Sequence, residues 1–497
     1  MMNSIKTENK HSAYPERVAA LFALLLAAAC AGQDSPALGL TVIEGVSVID
    51  VETGRVIPDQ SVVIRGDRIV EVASQRRVVL ARSSRVISGE GLFLMPGLWD
   101  AHVHVFSAEG EPDVALPLYI LHGVTSIRDM GALVPLREQL TISEAIAAGN
   151  RVGPRIVPAG AMIDGPPGSW PGQMVAASPE EGRLRVREAA NLGWTSVKAY
   201  SLLDRATYLA IADEATKLGL PLYGHVPEAV RLDEAVAAGQ DVVEHVGRVT
   251  KACSRDEAEM VVGAQAALSQ DEPFDALMAE MAAHTMRTFK TWDEKLCRRT
   301  VDRLAAVGIA VAPTLMVADF YLGDDPQADD PRMLTVPANI REGWGEPDFR
   351  RAAMTDDMLA IAPEAVRQDR RTFKLAHEAG VTILASSDAA FLNPFLFHGF
   401  TLIEEVERYV DIGLSPGDAL ATATINPARL FGNDGETGRV EEGRRADLIL
   451  LRRSPLEDIR ALREIETVVA AGRVFDRNDL DALEADLRRR AEEAVPD

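Results

Sequence analysis

Between Leu38 and Leu94 short apolar runs are broken by turn residues: TVIEGVSVIDVETG, SVVIRGDRIVEVA and RVISGEGLFLMPG. Gly66-Asp67, set between Val62-Val63-Ile64 and Ile69-Val70, reads as a hairpin turn. The same rhythm returns near the other end, in TGRVEEGRRADLILL and TVVAAGRVF. Neither piece is large enough to bury a core alone, so residues 38–94 and 433–476 are predicted to pair as one small β-sandwich domain bracketing what lies between.

From residue 95 to 432 the rhythm changes to brief apolar strands alternating with alanine-rich amphipathic helices. Candidate strands are GLWDAHVH, VTSIRD, PRIVPAG, TSVKAY, PLYGHV, DVVEHV, IAVAPTL and VTILASSD. Helices such as SPEEGRLRVREAANLG and RATYLAIADEATKLG open on a capping or acidic residue and close on Gly. Eight strand–helix units predict an α/β fold of the (β/α)8 TIM-barrel type, whose chemistry sits at the C-terminal ends of the strands. Two longer stretches, 247–300 and 317–374, interrupt the repeat as lids or decoration. Residues 477–497 read as a polar surface helix.

Composition narrows the class. The 497 residues are 47% hydrophobic, ample for one large elaborated domain. A formal charge of -23 argues against nucleic acid or an anionic membrane surface as partner, because both need basic patches. Lys6, Lys10 and Arg17 precede an apolar run from Val18 to Ala31, too short to span a bilayer comfortably. Residues 1–31 are therefore predicted to be a signal peptide cut after Ala31, and the protein exported, periplasmic or secreted. The competing reading is a lipoprotein leader that leaves an acylated Cys30 as lipid anchor. Removing the leader leaves Cys253 and Cys297, an even number in an oxidising compartment; they either pair, pinning the insertion after the sixth strand, or stay as idle thiols.

Candidate chemistry starts at AHVHV. His102 and His104 lie two apart on a strand, so both point to one face and can grip one ion. Alone the pair means little. His225 in LYGHV and His245 in VEHVG end two further apolar strands, and Asp388 ends ILASSD, so four histidines and a carboxylate would converge on the barrel mouth. Lys198, in TSVKAY, is the odd member: a lysine ending an apolar strand is normally salt-bridged to an acid. A free ammonium would be repelled by metal cations, whereas a desolvated neutral amine can take up carbon dioxide as a carbamate able to bridge two metals.

In this order the residues resemble the metal-dependent amidohydrolase superfamily, in its imidazolonepropionase-like and Xaa-Pro dipeptidase-like branch with binuclear sites. The likeness covers nearly the whole chain after the leader. Its marks are PGLWDAHVH, GVTSIRDMG, the lysine of VKAY, GHVPE, VEHVG, ASSDAA, ATINPARLFG and RVEEGRRADLILL. The resemblance implies that His102, His104 and Asp388 bind one divalent metal, that His225 and His245 bind a second, and that carboxylated Lys198 bridges them. Zinc suits imidazole and carboxylate ligands, as do manganese, cobalt and iron. The resemblance further implies that Asp388 orients the attacking water, takes its proton and passes it to a leaving amine of a small-molecule substrate. Tyr200, two beyond Lys198 on the same strand face, is a candidate donor to the oxyanion or a packing residue.

Two departures stand out. Where the family often has Gly-Thr before the last aspartate, this chain has Ser386-Ser387. Where many relatives have a Leu-His pair after it, the chain reads Leu402-Ile403, with His398 nearby. Trp170, on the Gly/Pro-rich loop after the third strand, either walls the pocket or anchors the loop. His122, His284 and His377 read as structural, and His11 lies in the leader. The leading expectation is hydrolysis of an amide bond in a dipeptide or N-acyl amino acid; the same site would serve lactones, esters or phosphotriesters. A single-metal deaminase is a third reading, against which Lys198 counts. A non-catalytic relative would have lost ligands, and none is missing. Whether the chain forms a homo-oligomer is open.

Overall fold

In the computed structural model, which describes residues 39–74, 84–131, 133–170, 172–322, 330–344, 351 and 354–493, the two β-rich ends of the chain pair with each other. Strands Leu40–Asp50, Arg55–Arg65, Arg68–Ser74, Arg85–Ser88 and Phe93–Pro96 join Leu448–Leu451, Ile465–Ala470 and Arg473–Phe475 in one mixed sheet of 8 strands. The seam is an antiparallel ladder in which Phe93 to Pro96 face Leu451 to Leu448. Gly66, with φ of 60°, makes the expected tight turn before Arg68. Ile43, Val46, Val62, Ile64, Leu94, Leu448 and Leu450 are all buried in a core belonging to this sheet. A sandwich of two stacked sheets was expected, but the pairing runs unbroken through one sheet. Both of its ends bond to the same segment, Ile69 N to Arg444 O (2.9 Å) and Gly472 N to Ala446 O (3.0 Å), so the sheet rolls around its own core.

The central residues form the TIM-barrel-type arrangement. Its strands are Leu98–Val103, Val124–Asp129, Arg155–Pro158 continued by Ala161–Asp164, Val197–Ala199, Leu222–Gly224, Val242–Glu244, Ala310–Ala312 and Thr382–Ile383. Neighbours within each sheet run parallel. Backbone bonds link the sheets: Asp241 N to Leu222 O (2.8 Å) joins the fifth strand to the sixth, and bonds that include Ala101 N to Ala385 O (2.9 Å) join the first to the eighth. The regular strands are shorter than the apolar runs that announced them. Their C-terminal residues leave the ladder as loops and carry the polar groups outward, as Leu384–Asp388 does beyond Thr382–Ile383.

The stretch 247–300 is helical as its pattern implied, with helices Val246–Ala252, Glu257–Ala267, Pro273–Thr291 and Glu294–Val307. Asp293 accepts from Leu296 N (2.9 Å) to open the last of these, and Gly308 closes it with φ of 78°. Cys253 and Cys297 are disulfide-bonded across 44 residues, tying the start of the insertion to its end. The second interruption is part helical, with Ala338–Trp344 before the long helix Asp356–Glu378. The tail helix Arg477–Glu493 is polar outside but docks through buried Leu480, Leu487 and Ala491. Among the described residues no helix is long and apolar enough to cross a membrane. The predicted leader, with Cys30 and His11, lies outside the described residues.

Cross-linking 44 residues removes chain entropy worth about 4 kcal/mol from the unfolded state. Cys297→Ala should therefore lower the melting temperature, and in protein recovered from an oxidising compartment neither Cys253 nor Cys297 should react with a thiol label after denaturation. Labelling of both there would reject the bond.

Candidate metal centre

Four imidazoles reach one place from three parts of the barrel, and in each of them Nδ1 has a partner on the outer side. His102 Nδ1 lies 2.8 Å from Glu244 Oε2, and His104 Nδ1 lies 3.1 Å from the Gly131 carbonyl. Ser201 Oγ is 2.6 Å from His225 Nδ1, and Thr314 Oγ1 is 2.8 Å from His245 Nδ1. The first two partners only accept, so those Nδ1 atoms carry the hydrogen and Nε2 is left with a lone pair in the neutral ring. Hydroxyls can accept as well, which allows the same tautomer at His225 and His245.

The Nε2 atoms then converge. His102 Nε2 and His104 Nε2 stand 3.2 and 3.4 Å from the same oxygen, Asp388 Oδ1. Ligand atoms of His102, His104 and Asp388 all fall within 4.8 Å of one another, a grouping able to hold one metal ion. His225 Nε2 and His245 Nε2 face each other at 2.9 Å. His102 and His245 connect the two groups, with ring centroids 5.1 Å apart. Lone pairs aimed at a carboxylate oxygen and at one another repel unless a proton or cation lies between them, so the donor set fits divalent metal.

Electrostatics favour neutral rings at three of the four histidines. Burial, together with His245 and Arg248, holds the His225 imidazole well below its usual range. Burial likewise brings His245 down to about 4, and lowers His104. His102 alone is raised: burial opposes its charge, but the adjoining Asp388 and Glu244 carboxylates outweigh it. Asp388 is held well below the ordinary carboxylate range, burial being overcome chiefly by His102, so it is ionised at neutral pH.

Backbone geometry at the ligands is unusual. His245 and Asp388 have φ of 66° and 56°, conformations that non-glycine residues adopt only where surrounding contacts hold them. Asp388 N donates to His102 O (2.8 Å) and His245 N to Ala312 O (2.8 Å), which fixes both turns. Gly224, before His225, has φ of 108°, and a Cβ there would come within 2.2 Å of the Ala199 carbonyl. That close approach is why the Gly-His pair of LYGHV ends this strand.

Lys198 is fully buried. It donates to the Met130 carbonyl (2.5 Å) and makes no ion pair within 4 Å among the described residues. Burial pulls its amine down to about 8, although Glu244, Asp388 and Asp129 act to hold the proton. Tyr200 stacks on His225 with centroids 4.2 Å apart, and its ring is 5.2 Å from Lys198 Nζ. Trp170 packs against His104, their ring centroids 5.0 Å apart. His398 is not among the ligands: it is buried between Tyr119 Oη (3.0 Å) and Glu111 Oε1 (3.0 Å). His122 packs on Phe400 and His377 lies partly exposed near Asp418, both structural. The Ser386-Ser387 departure has a local account, since Ser387 Oγ donates to buried Asp100 Oδ2 (2.5 Å) and its N–H to Oδ1 (3.0 Å). A surface cleft of about 250 Å³, lined by Arg231, Asp233, Arg255, Arg299 and others, contains none of the candidate ligands.

Sequence reasoning missed the residues behind the ligands. Glu244 is fully buried and holds both His102 and Arg128, the latter through Nη2 (2.5 Å). Burial pushes the Glu244 carboxyl up, but Arg128 and His102 outweigh it and bring it to about 2. Arg128 is itself buried, bonded to the Ala101 carbonyl (2.6 Å) and packed against Phe431 and Tyr223. The charged Arg128 and Glu244, inside VTSIRD and VVEHV, were the available signals, because charge in a buried strand needs a partner.

Comparison with known proteins places this geometry. The amidohydrolase family model matches residues 93–475. The chain belongs to the amidohydrolase family. This amidohydrolase is 25% identical to an adenine deaminase of Paracoccus denitrificans (strain Pd 1222) over 448 residues, which are 87% of this chain and 56% of that protein; it thus spans little more than half the length of that relative. Bottromycin amidohydrolase superposes with a TM-score of 0.66 at 22% identity, covering 90% of each chain. A prolidase solved with N-methylphosphonate-L-proline gives 0.61 at 22% identity, covering 88% of this amidohydrolase and 100% of the prolidase. At such identities the two structures attest the fold.

Glu244→Gln should leave Arg128 charged and unpaired in the core, costing about 3 kcal/mol or more, and should loosen His102. The expected result is a lower melting temperature and metal affinity reduced about 10- to 100-fold, read by calorimetry and elemental analysis. Unchanged metal content would show that Glu244 does not orient the ligand.

Proposed function

We propose that the protein hydrolyses an amide bond in a small molecule, a dipeptide or an N-acyl amino acid, with two divalent ions at its centre. His102, His104 and Asp388 would hold one ion, His225 and His245 the other, and Lys198, as the carbamate formed with carbon dioxide, would join them. The observation that carries this reading is that each of four imidazoles has Nδ1 engaged and Nε2 turned inward. Zinc is the ion we assign, the donors being imidazole nitrogen and carboxylate oxygen.

Charge supports the carbamate. The ligands bring one certain negative charge, from Asp388, against two divalent cations. Converting an ammonium to a carbamate changes the local charge by two units and adds oxygen donors. Burial favours the free amine that reacts with carbon dioxide, against the pull of Glu244, Asp388 and Asp129 on its proton.

When bound, the ions supply Lewis acidity toward the scissile carbonyl and make water a nucleophile at neutral pH. Asp388, ionised and within reach of the His102 and His104 ligand atoms, accepts the proton from the attacking water and delivers it to the leaving nitrogen. Tyr200, packed on His225, would donate to the oxygen that gains charge. Trp170 narrows the approach over His104. We also read the protein as exported, either free after loss of residues 1–31 or anchored at Cys30; the Cys253–Cys297 bond suits such a compartment.

Lys198→Ala should lower metal content below two per chain and cut turnover on the order of a thousandfold or more, with partial rescue by bicarbonate or a short carboxylic acid. Asp388→Asn should retain much of the metal while losing most of the rate. Near-normal activity and two tightly bound metals in Lys198→Ala would overturn the binuclear reading. The substrate screen sets dipeptides and N-acyl amino acids against lactones, esters, phosphotriesters and adenine. Turnover of adenine alone would favour the single-metal deaminase, which the similarity to adenine deaminases raises.

A further inference from the structure

Backbone carbonyls hold two residues of the centre, and both carbonyls belong to one turn. Met130 O accepts from Lys198 Nζ (2.5 Å), and Gly131 O lies 3.1 Å from His104 Nδ1. A carbonyl is aimed only as well as the peptide that carries it. Asp129, the last residue of the second barrel strand Val124–Asp129, holds these peptides. Its Oδ1 accepts from Gly131 N (3.2 Å), and its Oδ2 accepts from the N–H of Val105 (2.8 Å), the residue after His104. One carboxylate thus ties the chain leaving His104 to the turn that receives the outer nitrogen of the same histidine. Met130 N adds a bond to Val103 O (2.8 Å). The turn sits close against its neighbours: a Cβ on Gly131 would lie 2.5 Å from Met162 Cε and 3.3 Å from His104 Cε1 and Nδ1.

Asp129 is a costly brace. It is buried, and among the described residues its oxygens are met by backbone N–H groups alone. Burial pushes its carboxyl up to about 7 against those two hydrogen bonds. A buried carboxylate without a counter-ion is a poor source of stability, so its place here points to the orientation of the groups in front of it. Successive residues of a strand face opposite ways, and Arg128-Asp129 divides its tasks accordingly. The arginine anchors Glu244 behind His102, while the aspartate braces the turn behind His104 and Lys198. At Lys198 the charge of Asp129 by itself would act in the other direction, since it helps the amine keep its proton.

We propose that Asp129 is a positioning residue for both halves of the centre: through Gly131 it aims His104 at a metal ion, and through Met130 it holds Lys198 where the carbamate forms. The second half rests on the carbamate reading given above; the first needs only the His102, His104 and Asp388 group. When the free amine takes up carbon dioxide, its nitrogen bonds the carbon and gives up one proton. One N–H remains on that nitrogen, and the Met130 carbonyl is its acceptor. A displaced turn therefore misplaces a ligand and the bridging group together.

For the test, the full chain is reconstituted with zinc in isotopically labelled bicarbonate. Competition with a chelator reads metal affinity, and NMR reads the carbamate. Asp129→Asn keeps the shape but replaces one of the two acceptor oxygens with an NH2 group, so one backbone N–H loses its partner. It should weaken metal affinity by about tenfold or more and lose most of the carbamate signal at a bicarbonate level that saturates wild type, while its melting profile stays that of a folded protein. Gly131→Ala, which displaces the turn and leaves Asp129 intact, should show the same two losses, and it decides the matter if Asp129→Asn does not fold. A carbamate signal that rises in Asp129→Asn would mean that Asp129 acts by charge alone and overturns the proposal. Unchanged affinity and signal in a folded variant overturn it as well. A wild type without any carbamate signal counts against the bridged centre; metal affinity in Asp129→Asn then decides the His104 half, a loss of about tenfold upholding it and no change overturning it.

Discussion

Lone pairs that face one another in a dry interior have to be held together by a cation, and the centre of this protein is organised around that constraint. Once Glu244, Gly131, Ser201 and Thr314 engage the outer nitrogens of the four histidines, the inner nitrogens have nowhere to turn. Asp388 stands against two of them with its own lone pairs. Without a positive charge this is a cluster of repulsions, and the Asp388 and Glu244 carboxylates hold the His102 imidazole above its usual range against the effect of burial. Divalent metal relieves the same repulsion with a larger charge, which links folding of the centre to metal uptake.

Behind that centre lies an ion pair that would be a poor way to stabilise a barrel. Arg128 and Glu244 are both fully buried, and desolvating two charges costs more than most pairs return. Their value is positional. Arg128 is fastened to the Ala101 carbonyl and packed on aromatic rings; Glu244 is fastened to Arg128, and His102 to Glu244. Each bond removes a degree of freedom from the one in front of it, so a histidine on the first strand is aimed by an arginine on the second and a glutamate on the sixth.

The strained turns at His245 and Asp388 belong to the same design. His245 directly follows its strand and Asp388 lies five residues beyond Thr382–Ile383, and each is held by a backbone bond to another strand. Barrel closure therefore positions the ligands as well as burying the apolar faces of the strands. The insertion after the sixth strand is tied at both ends by the Cys253–Cys297 bond and brings His284 back to Glu228, which follows the fifth strand.

Much of this was legible along the chain because it depends on local pattern. Alternating apolar runs with polar residues at their ends disclosed the strands, and the pairing of the two β-rich termini followed from neither being able to bury a core alone. The grouping of His102, His104 and Asp388 was legible from residue type and position along the strands, since His-x-His on a strand puts both rings on one face. The partners of Nδ1 were not. Thr314 and Ser201 are ordinary hydroxyls in loops far away in sequence, and Gly131 contributes only a carbonyl, so no side-chain pattern marks them. The single rolled sheet depended on where Arg444 to Ala446 would lie. The cysteines had two open states until the insertion brought their Cα atoms within 4.3 Å. Residue chemistry and periodicity determined which groups could act; tertiary structure alone decided which nitrogen each histidine presents and which charges meet, because both depend on contacts between different strands and loops, from 24 positions apart at Ser201 and His225 to 142 at His102 and Glu244.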